Sequence, residues 1–190
     1  MLTNKLAVVF PGMGYGKDKP LLYYAARQAK ELGYEIRYVD YEGLPPMAGN
    51  TRAAKVEWTD RAYAKTEEQL ADIDWAGRDI VFIAKSVGTV IASQYARANG
   101  LKPVMILLTP LDETFEFICD GRNFVFTGEL DPLFDDTKLG DELMEKVDEE
   151  FVYGECDHSM EGGNVDSDLD MLRQVIRDVR YALTGEDPRV

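Results

Sequence analysis

The chain has 190 residues, 45% of them apolar, enough for one compact domain spanning residues 1–190 with its own core. Acidic residues outnumber basic ones by 35 to 21. The resulting net charge of −14 repels phosphate backbones and anionic lipid, so neither nucleic acid nor a membrane is an expected partner.

Two cysteines, Cys119 and Cys156, are too few for a disulfide framework and read as free thiols in a reducing compartment. The apolar run at residues 6–10 is too short for a signal core, and no stretch has the length needed to span a bilayer. A cytoplasmic location is the expectation.

Apolar runs of strand length occur at residues 6–10, 36–39, 80–84, 104–108 and 124–127, with a weaker sixth at 151–153. Most are continuous rather than alternating, the pattern of parallel strands buried on both faces. Helical stripes fall between them. Leu22, Ala25, Ala26, Ala29 and Leu32 share one face, and Gly33 ends that helix. Tyr63, Thr66, Leu70 and Ile73 form a weaker stripe, preceded by an irregular stretch at 41–56 that holds Pro45 and Pro46. Val87, Val90, Ile91 and Tyr95 form a third, closed by Asn99 and Gly100, and Leu139, Leu143 and Val147 a fourth. Leu169, Leu172, Ile176, Val179 and Leu183 form the clearest. Alternating strands and helices predict an α/β fold, a parallel sheet with right-handed crossovers and helices on both faces. Working residues of such sheets collect at the carboxyl ends of the strands.

The third strand runs into Ala84-Lys85-Ser86-Val87-Gly88-Thr89. Ser86 stands between strand and helix with small residues two positions away on each side, as a sharp nucleophile elbow requires. A helix-capping serine is the plainer alternative. The first strand runs into Pro11-Gly12-Met13-Gly14-Tyr15-Gly16, whose bare backbone could approach an oxyanion together with the N–H of Val87. A phosphate-binding turn competes for this loop. However, the spacing of neither the dinucleotide nor the P-loop motif is present.

Gly128-Glu129-Leu130-Asp131-Pro132 follows the fifth strand. Asp131 could orient an imidazole, or simply make a turn. After the sixth strand comes Gly154-Glu155-Cys156-Asp157-His158-Ser159, with the only histidine of the chain. Serine, acid and histidine thus occur in the order Ser86…Asp131…His158, each just beyond a strand. Cys156, Asp157 and His158 are adjacent and do not have the spacing of a metal site, so no metal is expected.

These segments together resemble the α/β-hydrolase superfamily over nearly the whole chain. The chain looks most like its short bacterial members with a Lys-Ser-x-Gly-Thr elbow. It is also similar in size to the dienelactone-hydrolase-like branch, whose naming enzyme has cysteine where this chain has Ser86. The resemblance implies a three-layer α/β/α sandwich with six strands in the order 2-1-3-4-5-6. It implies Ser86 as nucleophile, His158 as base, Asp131 as orienting acid, and the N–H groups of Met13 and Val87 as oxyanion hole, with no cofactor.

The expected reaction is hydrolysis of a small carboxylic ester or thioester. Tyr15, Leu111, Phe115, Leu130 and Met160 are candidate walls for the substrate. Residues 109–122 leave room only for a short helix beside the site, not a long lid. Lys17, Arg27 and Lys85 could draw an anionic substrate but are expected as solvated surface residues. A non-catalytic binding or scaffold protein on the same fold is the alternative reading, a nucleotide-binding protein a third, and a homodimer stays open.

Overall fold

The computed structural model describes residues 4–49, 51–134 and 140–186. Its element order is β1 (Lys5–Phe10), α1 (Pro20–Glu31), β2 (Glu35–Tyr38), α2 (Arg52–Leu70), β3 (Asp79–Ser86) and α3 (Val87–Ala98). Then come β4 (Val104–Pro110), a 3₁₀ turn (Asp112–Glu116), β5 (Arg122–Gly128), α4 (Asp141–Met144), β6 (Glu149–Tyr153) and α5 (Val165–Thr184). The six strands form one sheet in the order β2-β1-β3-β4-β5-β6, every pair parallel. Among the described residues, no helix is long and apolar enough to cross a membrane.

The continuous apolar runs have the expected cause. Along β1, Ala7 and Val9 belong to a core shared with α1 and α5, while Leu6, Val8 and Phe10 belong to a second core shared with α2 and α3. Both faces of the strand are covered, so neither parity can be polar. Each large core side chain, such as Phe82 or Ile106, contributes about 2 kcal/mol by leaving water.

The helix ends follow local chemistry. Pro20 occupies the first turn of α1, and Gly33 takes a left-handed φ of 89° just beyond it. The Asn164 side chain accepts from Ser167 N at 3.0 Å to start α5, which ends on left-handed Gly185.

Two helices depart from the sequence reading. α2 begins at Arg52, inside the stretch expected to be irregular, with the Thr51 hydroxyl accepting from Ala54 N. Its buried seam is Ala54, Trp58, Ala62, Thr66 and Leu70, an i, i+4 ladder whose small members give little hydrophobic signal. Ile73 lies beyond its end. The fourth helix is a single turn at Asp141–Met144 without a buried residue, so Val147 is outside it; Leu139 lies outside the described residues. β6 is an edge strand tied to α5 by a buried hydrogen bond, Tyr153 Oη donating to Asp178 Oδ2 at 2.8 Å.

Candidate active site

The central strand β3 ends in a backbone that few residues tolerate. Ser86 has φ 55° and ψ −126°, and the pairing of β3 with β4 slips between Lys85 and Ser86. Such a conformation stores roughly 1–3 kcal/mol and persists only where neighbours enforce it. Gly88 is one enforcer. A Cβ there would stand 2.5 Å from the carbonyl oxygens of both Phe10 and Pro11, so α3 can press on the end of β1 only through glycine. Gly12 is another, since its Cβ would meet Lys85 O and Ser86 Cβ at 3.2 Å. The Thr89 hydroxyl donates to Ser86 O at 2.6 Å and lies 2.6 Å from the Thr114 hydroxyl, which joins the elbow to the 3₁₀ turn.

Ser86 makes no side-chain capping bond to α3, although it occupies the N-cap position. Its hydroxyl lies 2.8 Å from His158 Nε2. The other ring nitrogen, Nδ1, lies 2.9 and 2.8 Å from the two carboxylate oxygens of Asp131. The Asp131 side chain is fully enclosed, and its Oδ1 also accepts from Leu133 N at 2.9 Å. A carboxylate accepts, so Nδ1 carries a proton and Nε2 is left to accept from Ser86.

The acid turn and the histidine loop are stitched through their backbones. Glu129 N donates to Tyr153 O and Leu130 N to Cys156 O, both at 2.9 Å. A Cβ on Gly128 would fall 2.2 Å from Cys156 O, so the two loops meet at a distance that only glycine allows. Asp157 Oδ1 accepts from Ser159 N and Glu161 N, folding the loop around His158. Glu155 and Met160 take positive φ there, at 58° and 62°.

The glycine loop after β1 closes as a four-residue turn, with Gly12 and Tyr15 exchanging backbone hydrogen bonds of 3.0 and 3.2 Å. Gly14 supplies the left-handed φ of 71° that this turn requires. Met13 follows Gly12 inside the turn with its side chain half exposed, and Val87 is the first residue of α3.

The candidate walls divide. Leu130 is 62% exposed at the acid turn, and Leu111 is half-buried before the 3₁₀ turn. Tyr15 is half-buried, and its hydroxyl accepts from Leu21 N at 3.1 Å. Phe115 and Met160 are corrections. Phe115 is 1% exposed and stacks on Phe134 in the core under α2 and α3. Met160 is 3% exposed in the opposite core. Their apolar surface is consumed by packing.

Lys85 is a larger correction. Lys17 and Arg27 are exposed as expected, but Lys85 is 1% exposed, among the largest fully buried side chains. Its ammonium donates to His158 O at 2.7 Å and lies 4.9 Å from the centre of the Tyr15 ring. Burial lowers its pKa to about 8 against the opposing pull of Asp131 and Asp157. The sequence did hold a signal. Ile83 packs toward α1 and α5, and Lys85, two residues on, shares that parity near the centre of the sheet.

Cys119 and Cys156 are both unbridged. A cavity of about 510 Å³ opens beside the histidine loop, lined in part by Leu130, Glu155, Asp157, Glu161 and Asp168.

No protein-family profile matches the chain, and no curated protein sequence matches it. Solved structures do. Est1E from Butyrivibrio proteoclasticus superposes with a TM-score of 0.69 at 11% identity, covering 97% of this chain and 89% of that one. Dienelactone hydrolase from Anabaena variabilis gives 0.64 at 12% identity, covering 95% and 86%. An α/β serine hydrolase homologue from Coxiella burnetii gives 0.58 at 16% identity, covering 94% and 86%. Strand order, parallel pairing and these superpositions agree that the chain has the α/β-hydrolase fold.

Proposed function

We propose that the protein is a serine hydrolase that cleaves a small carboxylic ester or thioester through an acyl-enzyme on Ser86. The observation that carries this reading is the unbroken hydrogen-bonded path from the Ser86 hydroxyl through His158 to Asp131. As Ser86 Oγ bonds to the substrate carbonyl carbon, its proton passes to His158 Nε2. Asp131 holds the Nδ1–H and balances the imidazolium charge without taking the proton. The carbonyl oxygen becomes an oxyanion, held by the N–H of Val87 at the start of α3 and by that of Met13. Each such donor contributes about 3 kcal/mol to the transition state. Collapse breaks the bond to the alcohol or thiol, which leaves with the proton from His158. Water, giving its proton to His158, then bonds to the acyl carbon, and Ser86 Oγ leaves with that proton as the acid is freed.

Charge bears on the substrate. The net charge of −14 and the carboxylates lining the neighbouring cavity disfavour polyanionic carrier thioesters and favour a neutral ester. Leu111 and exposed Leu130 offer apolar contact to a short acyl group.

The test uses p-nitrophenyl acetate, p-nitrophenyl butyrate and an acyl thioester with wild type, Ser86→Ala and His158→Ala. Wild type is expected to turn over at least one of them, and both variants to lose that activity. A fluorophosphonate is expected to label wild type and not Ser86→Ala. Equal turnover in all three proteins overturns the reading, and a wild type that neither turns over an ester nor takes the label leaves a non-catalytic binding protein on this fold.

A further inference from the structure

We propose that Lys85 is a positioning residue: its buried ammonium, donating to the carbonyl of His158, locks the histidine loop to the elbow strand that carries Ser86. The inference rests on the reading of Ser86 and His158 as reacting groups. The direct Ser86–His158 bond must break and re-form during each turnover, whereas the Lys85 link does not involve the reacting atoms. It therefore holds the imidazole in register while the proton moves.

Three structural observations support this role. A lysine chain is rarely enclosed without a partner, because an isolated buried charge is strongly unfavourable. Here the ammonium meets the His158 carbonyl at 2.7 Å and the face of Tyr15 at 4.9 Å. Tyr15 is itself fixed by its bond from Leu21 N, so the glycine loop supplies a rigid floor. The lysine thus touches the two loops that flank Ser86, one from β1 and one from β6. Its neighbour in sequence is the nucleophile, so any shift of the elbow is carried to both loops.

The charged and titratable groups facing the ammonium are Asp131 from the acid turn, Asp157 and His158 from the histidine loop, and Tyr15 from the glycine loop. Burial pushes the ammonium toward losing its proton near pH 8, while Asp131 and Asp157 resist. A neutral amine is a weaker donor than an ammonium. The lock therefore slackens as pH rises through that region.

Kinetics and NMR together test this. Lys85→Met keeps the stem and removes the donor. It is expected to lower kcat for p-nitrophenyl acetate about 10-fold or more with KM nearly unchanged, the pattern of a misplaced catalytic group. Wild-type kcat is expected to fall above about pH 8, and Lys85→Met to show no such fall. Asp157→Asn, on the exposed loop, removes an anion that favours the ammonium and should move the fall to lower pH. Because the chain has one histidine, its imidazole nitrogen NMR signals can be assigned without ambiguity. Wild type should show one sharp set of imidazole signals, and Lys85→Met exchange broadening under the same conditions.

A Lys85→Met protein with wild-type kcat, pH profile and imidazole signals overturns the proposal. If that variant does not fold, an alkaline fall unmoved by Asp157→Asn overturns it instead. Should wild type resist fluorophosphonate while the imidazole still loosens in Lys85→Met, the hydrolase reading fails and the positioning role stands.

Discussion

Gly128→Ala should damage a site that it does not touch. The new methyl carbon would lie 2.2 Å from Cys156 O, 2.7 Å from Cys156 C and 2.9 Å from Asp157 O. All three are backbone atoms, so no rotamer change relieves the clash. Ordinary contact begins near 3.4 Å, so the loop must retreat by about 1 Å. His158 is two residues beyond Cys156, and its Nε2 lies 2.8 Å from Ser86 Oγ. Carried through the loop, that retreat takes the pair beyond hydrogen-bond reach. Forcing a methyl into a close-packed joint costs about 1–3 kcal/mol of stability, and a misplacement of this size lowers kcat/KM about 100-fold. Urea unfolding and p-nitrophenyl ester kinetics read the two effects. Gly16→Ala is the control, since a Cβ there meets nothing within 4 Å. If Gly128→Ala matches Gly16→Ala in midpoint and kcat/KM, the argument that backbone contact places the histidine loop is wrong.

Two further outcomes follow from the elbow. Ser86→Gly and Ser86→Ala both abolish labelling and lose the same bond to His158, but only glycine relaxes at φ 55°. Ser86→Gly should therefore be the more stable of the two by about 1 kcal/mol in chemical denaturation, and equal stability would show that the backbone is not strained. Lys85 supplies a linkage prediction. Its folded pKa, about 8, lies below the ordinary 10.5, so between these values the unfolded chain holds the proton and the folded chain does not. Stability from this group therefore rises with pH across the window. Wild type should gain about 3 kcal/mol relative to Lys85→Met between pH 7 and pH 11. A constant difference across that range would mean that Lys85 titrates as an ordinary exposed lysine.

The sheet was legible because double-sided burial leaves a simple trace: Leu6 to Phe10 and Ile80 to Ala84 are apolar at both parities. Strand ends were less so. β3 continues through Lys85 and Ser86, where pairing with β4 persists after the apolar signal has stopped. The start of α2 was hidden because its buried seam uses Ala54 and Ala62, which are too small to register as a stripe. Three polar residues near strand ends were legible as a set, and the structure brings Ser86, Asp131 and His158 within hydrogen-bond reach. The walls were not. Whether Phe115 faces a cleft or Phe134 depends on how the 3₁₀ turn lies against α3, which is a tertiary matter. Lys85 was misread through a rule of composition, that lysine is solvated, when strand parity at the sheet centre argued the opposite.

The joints of the candidate site share one physical device. Gly88 lets α3 reach the end of β1, Gly12 lets the glycine loop rest on Ser86, and Gly128 lets the acid turn reach the histidine loop. At Gly88 and Gly128 the facing atoms are all backbone, and at Gly12 they are a carbonyl oxygen and two Cβ atoms, none of which can rotate away. Hydrogen bonds among side chains alone would leave each functional group a choice of rotamers. Backbone packed on backbone removes that freedom before any side chain is placed. The residues without side chains therefore fix the geometry, and Ser86, His158 and Asp131 need only extend from it. This is why a mutation at Gly128 should register in turnover as strongly as in stability, while a glycine standing in open space, such as Gly16, should register in neither.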